Sequence, residues 1–263
     1  MKQVILACVI VAVVAGCATT TTSTGRKQIV GGMSQAELNQ LGAQAFAEAK
    51  SKGPLSTDAK QNSYVRCVVD ALVAQLPAEQ RTIAWETAVF AEKEPNAYAL
   101  PGGKVGVNTG IFTVAKTQDQ LAAVLAHEIG HVVENHHDER ITRQMGASGM
   151  VQLLGALAGN YGDLATQGGS MFAQAGFLLP GSRTQESEAD VVGQRMMASA
   201  GFRPRPAGGV WQNMTPAGGS RPPQWLSTHP NPESRISELQ ARASQLAPNF
   251  EQARAAGRRP RCG

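Results

Sequence analysis

The chain has 263 residues, 42% of them hydrophobic, enough for one domain of ordinary size with its own core. Its formal charge of +4 is thin and scattered, so it makes no case for a nucleic-acid partner. The one arginine-rich stretch, Arg254, Arg258, Arg259 and Arg261, reads as a solvated tail, and no internal repeat is present.

Met1-Lys2-Gln3 and the apolar run Val4 to Ala15 have the form of a secretory signal whose apolar part is too short to span a bilayer. It ends Val14-Ala15-Gly16-Cys17, which resembles the bacterial lipobox. That resemblance implies that residues 1–16 are removed and that Cys17 becomes an acylated N-terminus. With Ala18 behind it rather than an aspartate, the protein is expected on the periplasmic face of the outer membrane, held there by lipid. Residues 17–33, rich in Thr, Ser and Gly, read as a flexible lipidated tether, and residues 34–263 as a single domain. With Cys8 removed and Cys17 lipidated, Cys67 and Cys262 remain as an even pair in an oxidising compartment, which predicts a disulfide between them.

Ser34-Gln35-Ala36-Glu37 is a capping box that opens a helix to about Lys50, broken by Gly53-Pro54. A second helix starts near Thr57 or Asp58, with Val65, Val68, Val69, Leu72, Val73 and Leu76 as its core stripe and Pro77 as its end. Alternation over Ile83 to Ala91 predicts a strand, Asn96 to Gly103 a turn-rich segment, and Lys104 to Phe112 a second strand. Thr117 to Gln120 then caps an apolar helix of about five turns, marked by Leu121, Val124, Leu125, Ile129, Val132 and Val133. Residues 140–179 read as short packed helices of an insertion or, alternatively, as a mobile lid or membrane-touching element. Ser182 starts another helix with Glu186, Glu188 and Asp190 near its beginning and Gly201 as its cap. A Pro/Gly-rich stretch follows to about Pro232, and an amphipathic helix from Glu233 to Leu246 closes the fold. The sum is an α+β domain, mostly helical, with a small mixed sheet packed on the five-turn helix that Thr117 to Gln120 caps.

That helix carries His127-Glu128-Ile129-Gly130-His131, which matches the zinc-peptidase signature H-E-x-x-H. Histidines four apart share one helix face and can reach one Zn²⁺, and the adjacent glutamate can act as general base toward a water. Burying three such groups is costly without a partner of this kind. A catalytic zinc takes a third protein ligand. His137 has the spacing of the long metzincin motif, but that motif turns its chain at a glycine where Glu134 stands here, so the helix is expected to continue. His136 and His137 then read as solvent-facing residues at a helix end, and Glu186 as the stronger candidate.

His127-Glu128-x-x-His131 followed by Glu186-x-x-x-Asp190 resembles the zinc peptidases that include HtpX-like heat-shock proteases and CAAX prenyl proteases, and most closely their periplasmic lipoprotein members. The resemblance extends from Asn96-Ala97, Pro101-Gly102-Gly103 and Thr109-Gly110 through Thr228-His229-Pro230 to Arg235. It implies a zincin-type fold, one Zn²⁺ per chain held by His127, His131 and Glu186, Glu128 as the base, and Asp190 in support. Independently, Asp190 lies four residues beyond Glu186 on the same face and could accept the second ring N–H of a ligating histidine, while Glu188 points elsewhere and is expected to be solvated. His229, in a Pro-flanked loop, could either stabilise an oxyanion or occupy the open zinc position, and Arg235 could pair with Asp190 or Glu186 or face the oxyanion.

The resemblance also implies that the strand ahead of the zinc helix binds substrate by backbone pairing, which would place Val105, Val107, Asn108 and Thr109 in the cradle. Such a cradle suits unfolded polypeptide. The expected function is hydrolysis of misfolded envelope proteins by a zinc endopeptidase. The alternative is a chaperone or assembly factor working with the outer-membrane assembly machinery, its proteolysis latent.

Overall fold

The structure, a computed structural model, describes residues 18–157, 181–214, 225, 229 and 233–263. The leader, Cys17, the part of the expected insertion at 158–179 and most of the Pro/Gly-rich stretch lie outside the described residues.

The described chain opens with β1 (Ala18–Thr21) and β2 (Lys27–Val30), antiparallel, with Ala18 opposite Val30 and Thr21 opposite Lys27. This corrects the expectation of a flexible tether. Composition describes what a segment does alone, whereas this one is ordered by partners elsewhere: Gln28 Nε2 donates to the Glu134 carbonyl at 2.9 Å, and the Gly31 N–H to Asp138 at 3.0 Å.

Helix α1 (Gln35–Lys52) starts at the predicted capping box, Ser34 Oγ accepting from the Glu37 N–H and the Glu37 carboxylate from the Ser34 N–H at 2.8 Å. Helix α2 (Ala59–Val73) is capped by Asp58, which accepts from the Lys60 and Gln61 N–H groups. Its stripe of Val65, Val68, Val69 and Leu72 is fully buried. The helix stops at Val73, short of Pro77, which instead opens the single turn α3 (Ala78–Arg81), where a missing N–H leaves nothing unpaired.

The sheet holds β3 (Glu86–Phe90), β4 (Ala97–Leu100) and β5 (Lys104–Asn108) in the order β3-β5-β4. β3 runs parallel to β5, with Val89 opposite Val107, and β4 antiparallel to it, with Ala99 opposite Val105. β4 lies in the segment predicted as turn. The turn itself is confined to Gly102 and Gly103, whose φ of +77° and +72° let the chain reverse directly into β5. The second predicted strand ends at Asn108, and Thr109–Thr113 is a 3₁₀ turn.

Helix α4 (Gln118–Val133) is capped by Thr117 and buries Leu121, Val124, Leu125 and Ile129 in one core with Val65, Val105 and Val107. Each such side chain contributes about 1.5–3 kcal/mol on burial. β4 is the strand packed on α4. Beyond Val133 the chain turns at Asn135, held at φ +54°, and a new helix α5 (His136–Leu157) begins. The expected continuous helix is therefore interrupted: asparagine supplies the left-handed residue that a glycine supplies in the metzincin pattern.

Helix α6 (Arg183–Ala200) carries both predicted ends, a Ser182–Gln185 capping box and Gly201 at φ +84°. It crosses α4 at two glycines. A Cβ at Gly130 would meet the Ala189 carbonyl oxygen at 2.9 Å, and one at Gly193 the Ala126 backbone at 3.0 Å. This approach brings the first turns of α6 against the middle of α4. Helices α7 (Ala207–Met214), α8 (Glu233–Gln245) and α9 (Ala247–Ala255) follow. α9 packs on α6, so part of the expected solvated tail is built into the fold. The chain then returns to α2, where Cys262 is joined to Cys67 with their Cα atoms 5.4 Å apart.

Candidate metal centre

Helix spacing puts His127 and His131 on one face of α4, and the glycine crossing sets Glu186 of α6 opposite them. His229, which precedes α8 in the chain and donates its N–H to the Trp225 carbonyl, reaches in beside them. One ligand atom from each of these four buried residues lies within 4.8 Å of all the others. Nε2 of His127 is 3.2 Å from Nε2 of His131, 3.2 Å from Oε2 of Glu186 and 3.3 Å from Nδ1 of His229. His229 Nδ1 to Glu186 Oε2 is 3.0 Å, and His131 Nε2 to Glu186 Oε1 is 3.5 Å.

These separations test whether a metal fits. Donors about 2.0–2.1 Å from a tetrahedral Zn²⁺ lie roughly 3.3 Å from one another. The observed values of 3.0–3.5 Å match that edge length. Among the described residues, none donates a hydrogen bond to the buried Glu186 Oε1, an arrangement a cation would relieve. Electrostatics agree. Burial resists ionisation of Glu186, yet His229, His131 and His127 hold its carboxyl far below the ordinary range. Burial and Arg235 oppose charge on His127, but hydrogen bonds with Asp190 and Glu186 raise it to about 9. Imidazole nitrogen and carboxylate oxygen donors suit zinc. Burial carries His131 well below its usual value, with His127, His136 and His229 adding to the effect and Glu186 opposing it, which keeps it a neutral ligand.

Surrounding groups fix these donors. Asp190 Oδ1 sits 2.9 Å from Nδ1 of His127, leaving Nε2 to face the cluster. Arg235 binds Asp190 through Nε and at 2.8 Å through a terminal nitrogen, and lies 3.2 Å from Glu186 Oε2. Although burial works against its charge, Asp190 is held down to about 2 by Arg235 and His127. Glu128 reaches the same space from α4, its Oε1 being 3.4 Å from His229 Nε2 and accepting the Trp225 indole N–H at 2.7 Å. Trp225 was not singled out in the sequence, where its Pro/Gly-rich surroundings gave no periodic signal.

Three expectations are corrected here. His136 and His137 are buried rather than solvent-facing, because the turn at Asn135 starts a new helix whose residues pack on β2 and on α4. His136 Nδ1 lies 2.8 Å from Nδ1 of His131. Glu188 is likewise buried instead of solvated, accepting hydrogen bonds from Thr22, Thr24 and Arg26 and lying 3.1 Å from His136. Its side chain does point away from the metal cluster, but toward the hairpin. Finally, Val105, Val107 and Asn108 cannot form the substrate cradle, because β5 is the central strand and is already paired with β3 and β4, and Thr109 lies beyond it in the 3₁₀ turn with its hydroxyl on the Glu92 carbonyl. β3 is covered on its far side by residues 54–56, with Ser56 N–H bonded to Val89 and Ala91 N–H to Pro54. Among the described residues, the open edge of this three-stranded sheet is that of β4, beside α4.

A family model for peptidase family M48 matches residues 59–243. The chain is 37% identical over 179 residues to "Mitochondrial metalloendopeptidase OMA1" of Schizosaccharomyces pombe, covering 67% of this chain and 51% of that protein. It is 36% identical over 164 residues to the protein of the same name from Arabidopsis thaliana, 62% of this chain and 32% of that one. With "Beta-barrel assembly-enhancing protease" of Escherichia coli K12 it shares 28% identity over 219 residues, 80% of this chain and 44% of that protein. The chain thus spans about half or less of the length of these relatives.

Proposed function

The chain belongs to peptidase family M48, and on that premise we propose that it is a zinc-dependent endopeptidase that hydrolyses unfolded or misfolded envelope proteins. The observation that carries this reading is the convergence of His127, His131, Glu186 and His229 at tetrahedral edge distances, with the Glu128 carboxylate beside them. In catalysis His127, His131 and Glu186 would hold the ion, which supplies Lewis acidity toward a scissile carbonyl and makes a water acidic near neutral pH.

The chain's own groups do the rest. Glu128 takes the proton from the attacking water and returns it to the leaving amine. Asp190 keeps the His127 imidazole in the tautomer that presents Nε2, and Arg235 neutralises the buried Asp190 and Glu186 carboxylates. An extended substrate adds to the open edge of β4, where backbone pairing reads shape rather than side-chain identity. Only an unfolded or locally extended chain can present that shape. His229 stands in the fourth donor position and must withdraw before a substrate carbonyl can enter.

The envelope assignment draws on the lipobox-like segment ending at Cys17 and on the similarity to a protease whose name links it to β-barrel assembly. The proposed location is the periplasmic face of the outer membrane, through lipid on Cys17. The occupation of the fourth position by His229, and of Glu128 by Trp225, favours a second role as an assembly factor with restrained proteolysis. Glu128→Gln separates the two. The variant should retain zinc and lose cleavage of unfolded casein, and cleavage at the parent rate would refute the mechanism. Restoration of envelope function in cells by the same variant would favour the assembly role.

A further inference from the structure

His131 is served by an unusual support. A histidine that ligates through Nε2 carries its proton on Nδ1, and here that nitrogen faces Nδ1 of His136 at 2.8 Å. His131 must therefore donate, and His136 must accept. His136 then carries its own proton on Nε2, which lies 3.1 Å from Oε2 of Glu188. The chain of tautomers is fixed in one direction, from His131 to His136 to Glu188. In effect the carboxylate that usually backs a ligating histidine directly, as Asp190 backs His127, has been moved one imidazole further out.

Glu188 is anchored in turn by the N-terminal hairpin. Its Oε1 accepts from Thr22 and Thr24 at 2.8 Å each, and Arg26 bonds both of its oxygens through Nε and Nη2 while donating through Nη1 and the same Nη2 to the two oxygens of Glu139 at 2.7 and 2.8 Å. The fork geometry of a guanidinium suits this double grip, and a lysine cannot reproduce it. The same hairpin clasps the α4–α5 turn, where Ser23 N–H donates to the Glu134 carboxylate at 2.9 Å and Gly32 N–H to Thr142 Oγ1 at 2.9 Å. This turn is the piece of backbone that sets His136 against His131.

We propose that His136 and Glu188 are positioning residues for the metal ligand His131, and that the β1–β2 hairpin, through Arg26, is the strap that holds them in place. The inference rests on His131 being a zinc ligand. Its consequence is that the segment nearest the N-terminus governs how tightly the site keeps its metal, although no hairpin residue belongs to the metal cluster.

The test is competition for zinc between the full chain and a chelator, with zinc affinity as the readout and the thermal unfolding of metal-free protein as a parallel measurement. His136→Leu fills the space but cannot accept from His131, whereas His136→Gln can accept through its amide oxygen. His136→Leu should weaken zinc binding by about 10–100-fold, the usual effect of losing such a support, and His136→Gln should recover most of it. Arg26→Ala should weaken binding several-fold and Arg26→Lys should not restore it. If His136→Leu proves unfolded, the Arg26 pair decides the matter, since that side chain is partly exposed and the thermal unfolding of each variant is measured in parallel. Parent-like affinity in Arg26→Ala, or equal affinity in His136→Leu and His136→Gln, would overturn the proposal. A parent chain that binds no zinc would overturn the metal-site reading itself and this inference with it.

Discussion

His229 Nδ1 lies 3.0 Å from Oε2 of Glu186, so a residue that precedes α8 completes the ring of donors around the metal position. Its other nitrogen is 3.4 Å from Glu128. One imidazole therefore stands both where a substrate carbonyl would bind and beside the base that would act on it.

Removing that imidazole should open the site. His229→Ala is expected to retain zinc on the other three ligands and to cleave unfolded casein faster than the parent. If the closed arrangement is populated tenfold over the open one, the gain is about tenfold. Zinc content and casein turnover measured on the same preparation check this, and loss of zinc with loss of activity would mean that His229 is an obligate ligand.

Asp190→Ala should act through two neighbours at once. Freed of its carboxylate, His127 would hold metal about 10–100-fold less tightly. Arg235, buried and left without its main partner, would destabilise the fold by roughly 3–5 kcal/mol. Chelator competition and urea unfolding report the two effects separately. An Asp190→Ala protein with parent zinc affinity would remove Asp190 from the site.

Much of this was legible in the sequence because it is local and periodic. The spacing of His127 and His131, the caps at Ser34, Thr117 and Ser182, and the stripe from Val65 to Leu72 each follow from a few adjacent residues. What escaped depends on contacts distant in the chain. The hairpin at residues 18–30 is polar and Thr-rich, and only its partners Asp138, Glu134 and Glu188 explain its order. His136 and Glu188 look like solvated residues until the Asn135 turn and the hairpin enclose them. β4 was hidden by its short alternation between Pro- and Gly-rich flanks, and missing it made β5 look like an edge.

Tyr98 gives a pH signature of the β4 edge. Burial raises its phenol to about 12. Below pH 10 the phenol is neutral whether the chain is folded or unfolded, and its contribution to stability is complete. Between pH 10 and about 12 the unfolded chain ionises first, so stability falls as pH rises. The urea midpoint of the parent should drop more steeply across that window than that of Tyr98→Phe. Parallel slopes would show that the phenol is not shielded.

The Cys67–Cys262 bond closes a loop with a sequence separation of 195 residues. In the chain-entropy model such a cross-link contributes about 5 kcal/mol, with measured values more often 2–4 kcal/mol. A protein with both cysteines replaced by serine should therefore unfold at clearly lower denaturant. Thiol labelling of the native parent without reductant should modify neither cysteine, and labelling of both would contradict the bond.

The central claim is that α4 and α6 together build one zinc site, and metal analysis of the purified protein beside Glu186→Ala tests it most directly. The account predicts close to one equivalent of zinc in the parent and loss of that zinc in the variant. A parent without zinc, or a Glu186→Ala protein that keeps a full equivalent under the same dialysis, would contradict it.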